Sequence, residues 1–323
     1  MSSALLIVVG LAGLVGGAEL LVRGGTGLAL RLGIAPIVVG VTVVALGTSL
    51  PELAVGIDAA RQGNAGLAVG NIVGTNLVNL LLILGLSALI SPIALDTRTV
   101  RFDLPLMAAA ALLLLVVALD GTFGRLDGLV LVLFGVGYTL AILYVSRREP
   151  STVRAQYSAE YVPQDTGRAP ARPWRDVASL VVGIAVVVVG ATLLVDGAVD
   201  AARAIGVSDA VIGLTVIAIG TSAPELVTTV VSTIRGNRDI ALGNLLGSSV
   251  YNIAIILGIT ILVAPEVVQV PDEVLGGDLL LMVAVALACV PVFVSGSRIS
   301  RLEGGLFVAA YGGYLTWLLL SHA

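Results

Sequence analysis

Long apolar runs alternate with short polar connections along the whole chain. Ten of these runs approach or exceed the roughly 20 residues that an α-helix needs to cross a bilayer. They lie at 4–22, 37–60, 67–90, 104–119, 126–146, 177–195, 210–233, 240–263, 276–295 and 303–321. The first run has neither a basic leader nor a small-residue cleavage motif, so we interpret it as a membrane span and not as a signal peptide. The pattern predicts an all-α polytopic membrane protein with ten transmembrane helices.

One long polar stretch, residues 147–176, separates the first five predicted spans from the next five. It is too short and too polar to fold as a domain, so we interpret it as a linker. We therefore expect a first five-helix unit at 1–146 and a second one at 177–323.

The positions of the arginines predict the orientation in the membrane. All 17 basic residues are arginine, and 14 of them lie in the odd-numbered connections between predicted spans. Because basic residues accumulate on the cytoplasmic side of membrane proteins, we place these connections, including the linker, in the cytoplasm. Both termini of this multi-pass protein are then extracytoplasmic.

The second half of the chain repeats the first. Residue n aligns with residue n + 173 without a gap from Ala18 to at least Gly85, and 17 of 41 positions are identical between 45–85 and 218–258. The matches include polar residues and prolines, which hydrophobic coincidence would not keep in register. Because five is an odd number, equivalent spans cross the membrane in opposite directions. We therefore predict two inverted five-helix repeats, an arrangement of secondary transporters and some channels that places the binding site near the midplane.

The most distinctive repeated stretch is GTSLPEL at 47–53, which recurs as GTSAPEL at 220–226. Each copy places a glutamate, Glu52 or Glu225, near the middle of a predicted span. An ionisable group at that depth is costly and is functional by default. A single Ser, Thr or Asn in a membrane helix is more often a packing residue or bonds back to its own helix. Two glutamates at equivalent positions with the same neighbours favour the functional interpretation.

Further polar residues lie at the same depth as the two glutamates. Residues four apart share a helix face, and such pairs are Thr48 and Glu52, Thr75 and Asn79, Thr221 and Glu225, and Ser248 and Asn252, with Ser49, Asn76, Ser222 and Ser249 beside them. Pro51 and Pro224 each remove one backbone hydrogen bond, so the carbonyls of Gly47, Gly220, Ala45 and Ala218 could also turn toward a ligand. Four such faces together would enclose a cage of oxygen atoms.

A cage of oxygen atoms suits a hard cation. Calcium takes about 6–8 oxygen ligands, and sodium also takes oxygens with a lower demand for charge. The only cysteine, Cys289, and the only histidine, His322, lie outside these motifs. Their positions disfavour zinc or copper transport and histidine-dependent hydrolysis. Two glutamates carry at most two negative charges, which one calcium ion or two sodium ions neutralise. We expect no enzymatic activity, no cofactor and no nucleic-acid partner.

The stretches ALGTSLPEL with GNIVGTNLVN, and AIGTSAPEL with GNLLGSSVYN, closely resemble the two alpha repeats of the cation/calcium exchanger superfamily, specifically its prokaryotic sodium/calcium exchanger branch. The resemblance covers essentially the whole chain. It implies antiport by alternating access, with spans 1 and 6 sliding against the other eight. It also implies cation ligands at Ala45, Thr48, Ser49, Glu52, Thr75, Asn79, Ala218, Thr221, Ser222, Glu225, Ser248 and Asn252.

Two features depart from the family pattern. Asn252 stands where relatives often carry an aspartate, which leaves the stoichiometry and even the sodium dependence open. The linker at 147–176 is too short for the calcium-sensing domains of larger relatives.

The leading hypothesis is a monomeric antiporter that exchanges sodium for calcium across the plasma membrane. Its expected partners are the two transported ions and the lipid bilayer. A proton/calcium or other divalent cation exchanger is the alternative within transport. A passive cation channel is the alternative from a different class.

Overall fold

A computed structural model describes residues 2–95, 99–147, 173–206, 218–296 and 298–321. Its helices are α1 (Ser3–Leu32), α2 (Pro36–Thr48), α3 (Leu50–Arg61), α4 (Ala65–Ile90), α5 (Thr99–Val117), α6 (Arg125–Arg147), α7 (Pro173–Ala204), α8 (Ala218–Thr221), α9 (Ala223–Ile234), α10 (Arg238–Val263), α11 (Val274–Asp278, continued by Leu279–Gly296) and α12 (Arg301–Ser321). Within these ranges the regular structure is helical apart from four two-residue strands, so the expected all-helical class is confirmed.

Seven of the described helices are long and apolar enough to cross a membrane. An eighth span results if α2 and α3, which meet at an angle of 41°, are counted together. The seven are α1, α4, α5, α6, α7, α10 and α11. The prediction of ten spans stays a prediction. The helix α9 is short, residues 207–217 before α8 lie outside the described residues, and α12 is not among the counted spans.

Two helices form the centre of the bundle. In α4 and α10, 78% of the most apolar 18-residue window is buried, whereas the corresponding share is 33% in α1 and 28% in α7. The outer helices expose large apolar side chains such as Val8 and Val189, as a surface in contact with lipid requires. The central pair therefore places its polar side chains away from lipid.

The helices α1 and α7 lie antiparallel in backbone contact. Gly17 faces Gly183, and seven residues earlier Gly10 faces Gly190. A Cβ atom on Gly17 would lie 2.8 Å from the amide nitrogen of Val187 and 3.0 Å from the carbonyl oxygen of Gly183. Small residues permit this approach between membrane helices, where packing replaces the hydrophobic effect as the driving force.

Both helices are longer than the apolar pattern predicted. The predicted spans 4–22 and 177–195 are contained in α1, which ends at Leu32, and in α7, which runs from Pro173 to Ala204. The arginines that suggested a connection after residue 22 lie on α1 and form ion pairs there. Arg23 contacts Glu19 at 2.6 Å, and Arg31 pairs with Asp176 of α7. Because these charges are partnered and partly exposed, they do not end the helix.

Two pairs of very short strands join loops of the first half of the chain to loops of the second half. Strand β1 (Ile93–Ala94) pairs antiparallel with β4 (Arg298–Ile299), and β2 (Thr122–Phe123) pairs antiparallel with β3 (Val268–Gln269). An apolar-run analysis cannot detect strands of two residues. They tie the connection after α4 to the one before α12, and the connection after α5 to the one before α11.

Some sequence-based predictions fall outside the described residues. Residues 148–172 contain nearly all of the predicted linker, and 207–217 contain the first part of the predicted span 210–233. Arg98 and His322 also lie outside.

The contact between α1 and α7 predicts an unequal response at two adjacent glycines. Gly17→Ala introduces a methyl group where backbone atoms of α7 already lie within 3.0 Å, so we expect a destabilisation of about 1–3 kcal/mol and a lower Tm. Gly16→Ala is the matched control, because a Cβ atom there meets no described atom within 4 Å. Thermal unfolding of the purified protein in detergent measures both. Equal Tm values for the two variants would contradict the proposed packing.

Candidate functional site

The two glutamate motifs lie at breaks in the helical backbone. Ser49 separates α2 from α3 with φ −85° and ψ 9°, and Ser222 separates α8 from α9 with φ −86° and ψ 5°. These angles belong to the sparsely allowed bridge region, where many functional residues lie. Pro51 and Pro224 occupy the first turn of α3 and α9, where a missing N–H is tolerated. Each break therefore starts a new helix whose first turn carries the glutamate.

Glu52 and Glu225 are both fully buried. They belong to one region, because Ser49, three residues before Glu52, contacts the Glu225 carboxylate. Neither oxygen of the Glu52 carboxylate has a hydrogen-bond partner among the described residues, and Oε2 of Glu225 has none either. Buried carboxylates without partners are costly, so this arrangement favours an additional positive charge between them.

Side chains of the first break contact side chains of the second half directly. The Ser49 hydroxyl donates a hydrogen bond to Oε1 of Glu225 at 3.1 Å. The Thr48 hydroxyl donates to Oδ1 of Asn244 on α10 at 3.1 Å. Both contacts are buried. The two contacts join residues that are more than 170 positions apart in the chain: Thr48 with Asn244, and Ser49 with Glu225.

Three polar groups contact the carbonyl oxygen of Ala45. It accepts the backbone N–H of Ser49 at 3.1 Å, and the hydroxyls of Thr48 and Ser248 lie 3.3 and 3.5 Å from it. The predicted release of this carbonyl by Pro51 is therefore incomplete, since the helical bond from Ser49 is retained. Ala45, Thr48 and Ser248 nevertheless form one group of oxygens.

The contacts of Ser248 with Ala45 and of Asn244 with Thr48 depend on the close approach of α10 to α2. A Cβ atom on Gly243 would lie 2.7 Å from the carbonyl oxygen of Ile37 and 2.8 Å from the amide nitrogen of Val41. Without side chains at this position the two backbones touch, and Asn244 and Ser248 of α10 reach α2.

Asn79 and Asn252 lie in π-helical turns within the two central helices. The turns are Val78–Ile83 in α4 and Asn252–Leu257 in α10. The first packs against α9, which carries Glu225, and the second packs against α3, which carries Glu52. Such turns occur frequently at functional sites. Both amides are fully buried, and none of their side-chain N and O atoms has a hydrogen-bond partner within the described ranges.

The remaining predicted residues are placed as follows. Thr75 and Ser222 are buried, and their hydroxyls have no hydrogen-bond partner in the part of the chain that the structure describes. Thr221 is half-buried and has an interaction partner. Ala218 begins α8, and its side chain lies outside the described residues. Hydrogen-bond contacts therefore link five of the predicted residues, which are Ala45, Thr48, Ser49, Ser248 and Glu225. The other predicted residues are located only by the helices to which they belong.

Two residues of this region were absent from the predicted site. Asn244 and Thr229 are fully buried, and the Asn244 amide donates to the Thr229 hydroxyl at 3.0 Å. The repeat contained a signal for the first, because Asn244 matches Asn71. It contained none for Thr229, because the matching residue is Gly56.

The chemistry of this region is that of oxygen ligands. Within the described residues, no group of three or more His, Cys, Asp or Glu side chains could hold a metal ion. The polar atoms that converge are two carboxylates, hydroxyls, amides and a backbone carbonyl. These are ligands that hard cations take at about 2.3–2.6 Å, and soft metals prefer other donors.

Comparisons with known proteins identify the family. The family model of the sodium/calcium exchanger protein matches residues 2–144 and 176–320. The inner membrane protein YrbG of Escherichia coli (strain K12) is 34% identical over 320 residues, which cover 98% of this chain and 96% of that protein. The sodium/calcium exchanger MaX1 of Methanosarcina acetivorans is 31% identical over 343 residues, which cover 97% of each protein.

A solved structure agrees with the sequence comparisons. The sodium/calcium exchanger from Methanococcus jannaschii matches with a TM-score of 0.81 at 30% identity, and the match covers 97% of both chains. The resemblance inferred from the two repeated motifs is thereby confirmed. The chain belongs to the sodium/calcium exchanger protein family and is a membrane transporter, not an enzyme.

Proposed function

We propose that this protein is an antiporter that exchanges sodium for calcium by alternating access. The observation that carries the proposal is the pair of fully buried carboxylates, Glu52 and Glu225, each contributed by the helix break of one half. A cation that lies between them neutralises charges that would otherwise repel each other. The matches to sodium/calcium exchangers over nearly the full chain support sodium and calcium as the two ions.

The charge of the site supports coupling between the two ions. One calcium ion or two sodium ions neutralise two carboxylates, so the ions compete for the same negative charge. An empty site that crossed the apolar interior with both carboxylates ionised would carry two unpaired charges, and each buried unpaired charge is expensive. The site therefore changes sides mainly when it is loaded, which makes transport an exchange.

We propose the twelve residues of the sequence-based prediction as ligands, in a central site and flanking sites. Two oxygens that bind one ion at 2.3–2.6 Å, at a right angle, are about 3.3–3.7 Å apart. The Ala45 oxygen lies 3.3 Å from the Thr48 hydroxyl and 3.5 Å from the Ser248 hydroxyl. This spacing supports a flanking sodium site there, beside the two glutamates. The full set is Ala45, Thr48, Ser49, Glu52, Thr75, Asn79, Ala218, Thr221, Ser222, Glu225, Ser248 and Asn252.

We also propose that the chain consists of two inverted five-helix repeats, 1–146 and 177–323, joined by the linker 147–176. The family model matches two segments that nearly coincide with these limits. Equivalent residues share backbone angles: φ is −85° at Ser49 and −86° at Ser222, and 77° at Gly63 and 76° at Gly236. Ten spans, both termini outside and a monomer in the inner membrane complete the proposal. The arginine distribution supports the orientation, and similarity to the inner membrane protein YrbG supports the location.

The proposal predicts the loss of calcium transport when either central charge is removed. Glu52→Gln and Glu225→Gln keep the side-chain volume but leave a single carboxylate, so we expect calcium uptake to fall by at least about 100-fold in each. Radioactive calcium uptake into proteoliposomes measures the effect. Glu266→Gln is the control, because Glu266 is an exposed glutamate in a connection, and it should transport normally. Full activity of either central variant would refute the site.

The coupling ion is tested with separate gradients in proteoliposomes. We expect an outward sodium gradient to drive calcium uptake when the proton gradient and the membrane potential are collapsed. Uptake driven only by a proton gradient would instead identify a proton/calcium exchanger, and flux without any counter-ion would identify a channel. An imposed membrane potential then distinguishes the possible stoichiometries. Exchange of three sodium ions per calcium ion moves one net charge, worth about 2.3 kcal/mol per 100 mV. Exchange of two sodium ions per calcium ion moves no net charge and does not respond to the potential.

A further inference from the structure

The Thr48 hydroxyl has one proton and several possible acceptors, because the Glu225 carboxylate also lies within its reach. Its oxygen lies 3.1 Å from Oδ1 of Asn244 and 3.3 Å from the carbonyl oxygen of Ala45. A hydroxyl has a single O–H donor and two lone pairs. If the proton points to Ala45, it lies between the two oxygens that the proposed sodium ion would bind. If it points to Asn244, both oxygens can turn lone pairs toward the ion.

The orientation of the Asn244 amide is fixed by its other contacts. Its Nδ2 donates to the Thr229 hydroxyl at 3.0 Å and lies 3.5 Å from the backbone carbonyl oxygen of Glu225. A carbonyl oxygen accepts hydrogen bonds and cannot donate one, so the amide nitrogen belongs on this side. The amide oxygen of Asn244 must then face Thr48, where it can only accept the hydroxyl proton.

These contacts form a chain with one direction. Within this chain Asn244 can accept the Thr48 proton, and the Asn244 amide protons go to Thr229 and to the backbone of Glu225. Thr48, Asn244 and Thr229 are each fully buried, so bulk water does not reach these bonds in this conformation. The chain also spans three helices, since Thr48 lies on α2, Asn244 on α10 and Thr229 on α9, one turn after Glu225.

The chain of hydrogen bonds is not symmetric between the two halves. Asn244 has a counterpart in Asn71, but the counterpart of Thr229 is Gly56, which has no side chain. The Asn71 amide nitrogen is buried and has no hydrogen-bond partner among the described residues. Only the second half therefore supplies a hydroxyl that fixes the amide.

We propose that Asn244 and Thr229 are positioning residues that direct the Thr48 proton away from the ion site, so that the Thr48 and Ala45 oxygens are available to bind sodium. Neither residue contacts the ion in this proposal. The inference rests on the proposed function, because it requires a cation at Thr48.

The test compares two adjacent threonines. Thr229→Val removes the hydroxyl that fixes Asn244 at nearly constant volume. Thr228→Val is the matched control, because Thr228 is also fully buried on α9 but its hydroxyl has no hydrogen-bond partner within the described ranges. Thr229→Ser keeps the hydroxyl and should restore the wild-type behaviour. Asn244→Leu is a second disruptive variant, and the threonine comparison stands even if that variant does not fold.

The readout is the rise in Tm of the purified full-length protein with added sodium chloride or calcium chloride, since a ligand that binds the folded state stabilises it. Choline chloride at equal ionic strength corrects for salt. We expect Thr229→Val to raise the sodium concentration that produces a given rise in Tm by about 3–10-fold, the effect of one lost hydrogen bond. The calcium series should change by less than about threefold, because the carboxylates bind most of that charge. Thr228→Val and Thr229→Ser should stay within about twofold of wild type in both series.

The possible failures are distinguishable. Equal sodium dependence in Thr229→Val and Thr228→Val, with a normal wild-type response, would overturn the positioning role and leave the proposed antiport intact. A lower Tm without any change in sodium dependence would make Thr229 a structural residue only, which also overturns the inference. Absence of a sodium response in the wild-type protein would overturn the proposed sodium site and the inference together.

Discussion

The burial of two carboxylates is the constraint on which the rest of this structure depends. Glu52 and Glu225 are fully buried in a bundle whose outer surface is apolar, and charged groups in such an interior are stable only with partners. The helix breaks at Ser49 and Ser222 place each glutamate in the first turn of a new helix. The π-helical turns of the central helices α4 and α10 pack against the helices that carry the two glutamates. In the proposed function, the surrounding oxygens make this buried negative site usable by a cation.

Close backbone packing makes this arrangement possible. Gly243 brings α10 against α2, so that Asn244 and Ser248 reach Thr48 and Ala45. On the outside, Gly17 and Gly183 join α1 and α7 into one pair. Membrane helices gain little from the hydrophobic effect among themselves, so contact of this kind supplies much of their association. A helix pair held along its length can move as one unit, which the sliding of spans 1 and 6 would require.

The sequence predicted the parts of the structure that depend on local pattern. The limits of α4, α6 and α10 agree within about two residues with the apolar runs, and the repeat located both glutamates. The extension of α1 to Leu32 was missed, because ion pairs of Arg23 and Arg31 keep charged residues on the helix. The roles of Asn244 and Thr229 were missed as well. The contacts that carry them join different helices, Thr48 with Asn244 across 196 positions and Asn244 with Thr229 across 15, and no spacing rule within one helix reveals these.

The central claim is that one cation site lies between the carboxylates of the two halves. Strontium is a divalent ion with the same preference for oxygen ligands as calcium and has a strong anomalous signal. Anomalous diffraction from crystals soaked in strontium chloride, with sodium replaced by choline, tests the claim most directly. The account predicts a dominant peak within about 2.3–2.8 Å of carboxylate oxygens of both Glu52 and Glu225. A peak elsewhere in the bundle, or one that contacts only a single glutamate, would contradict it.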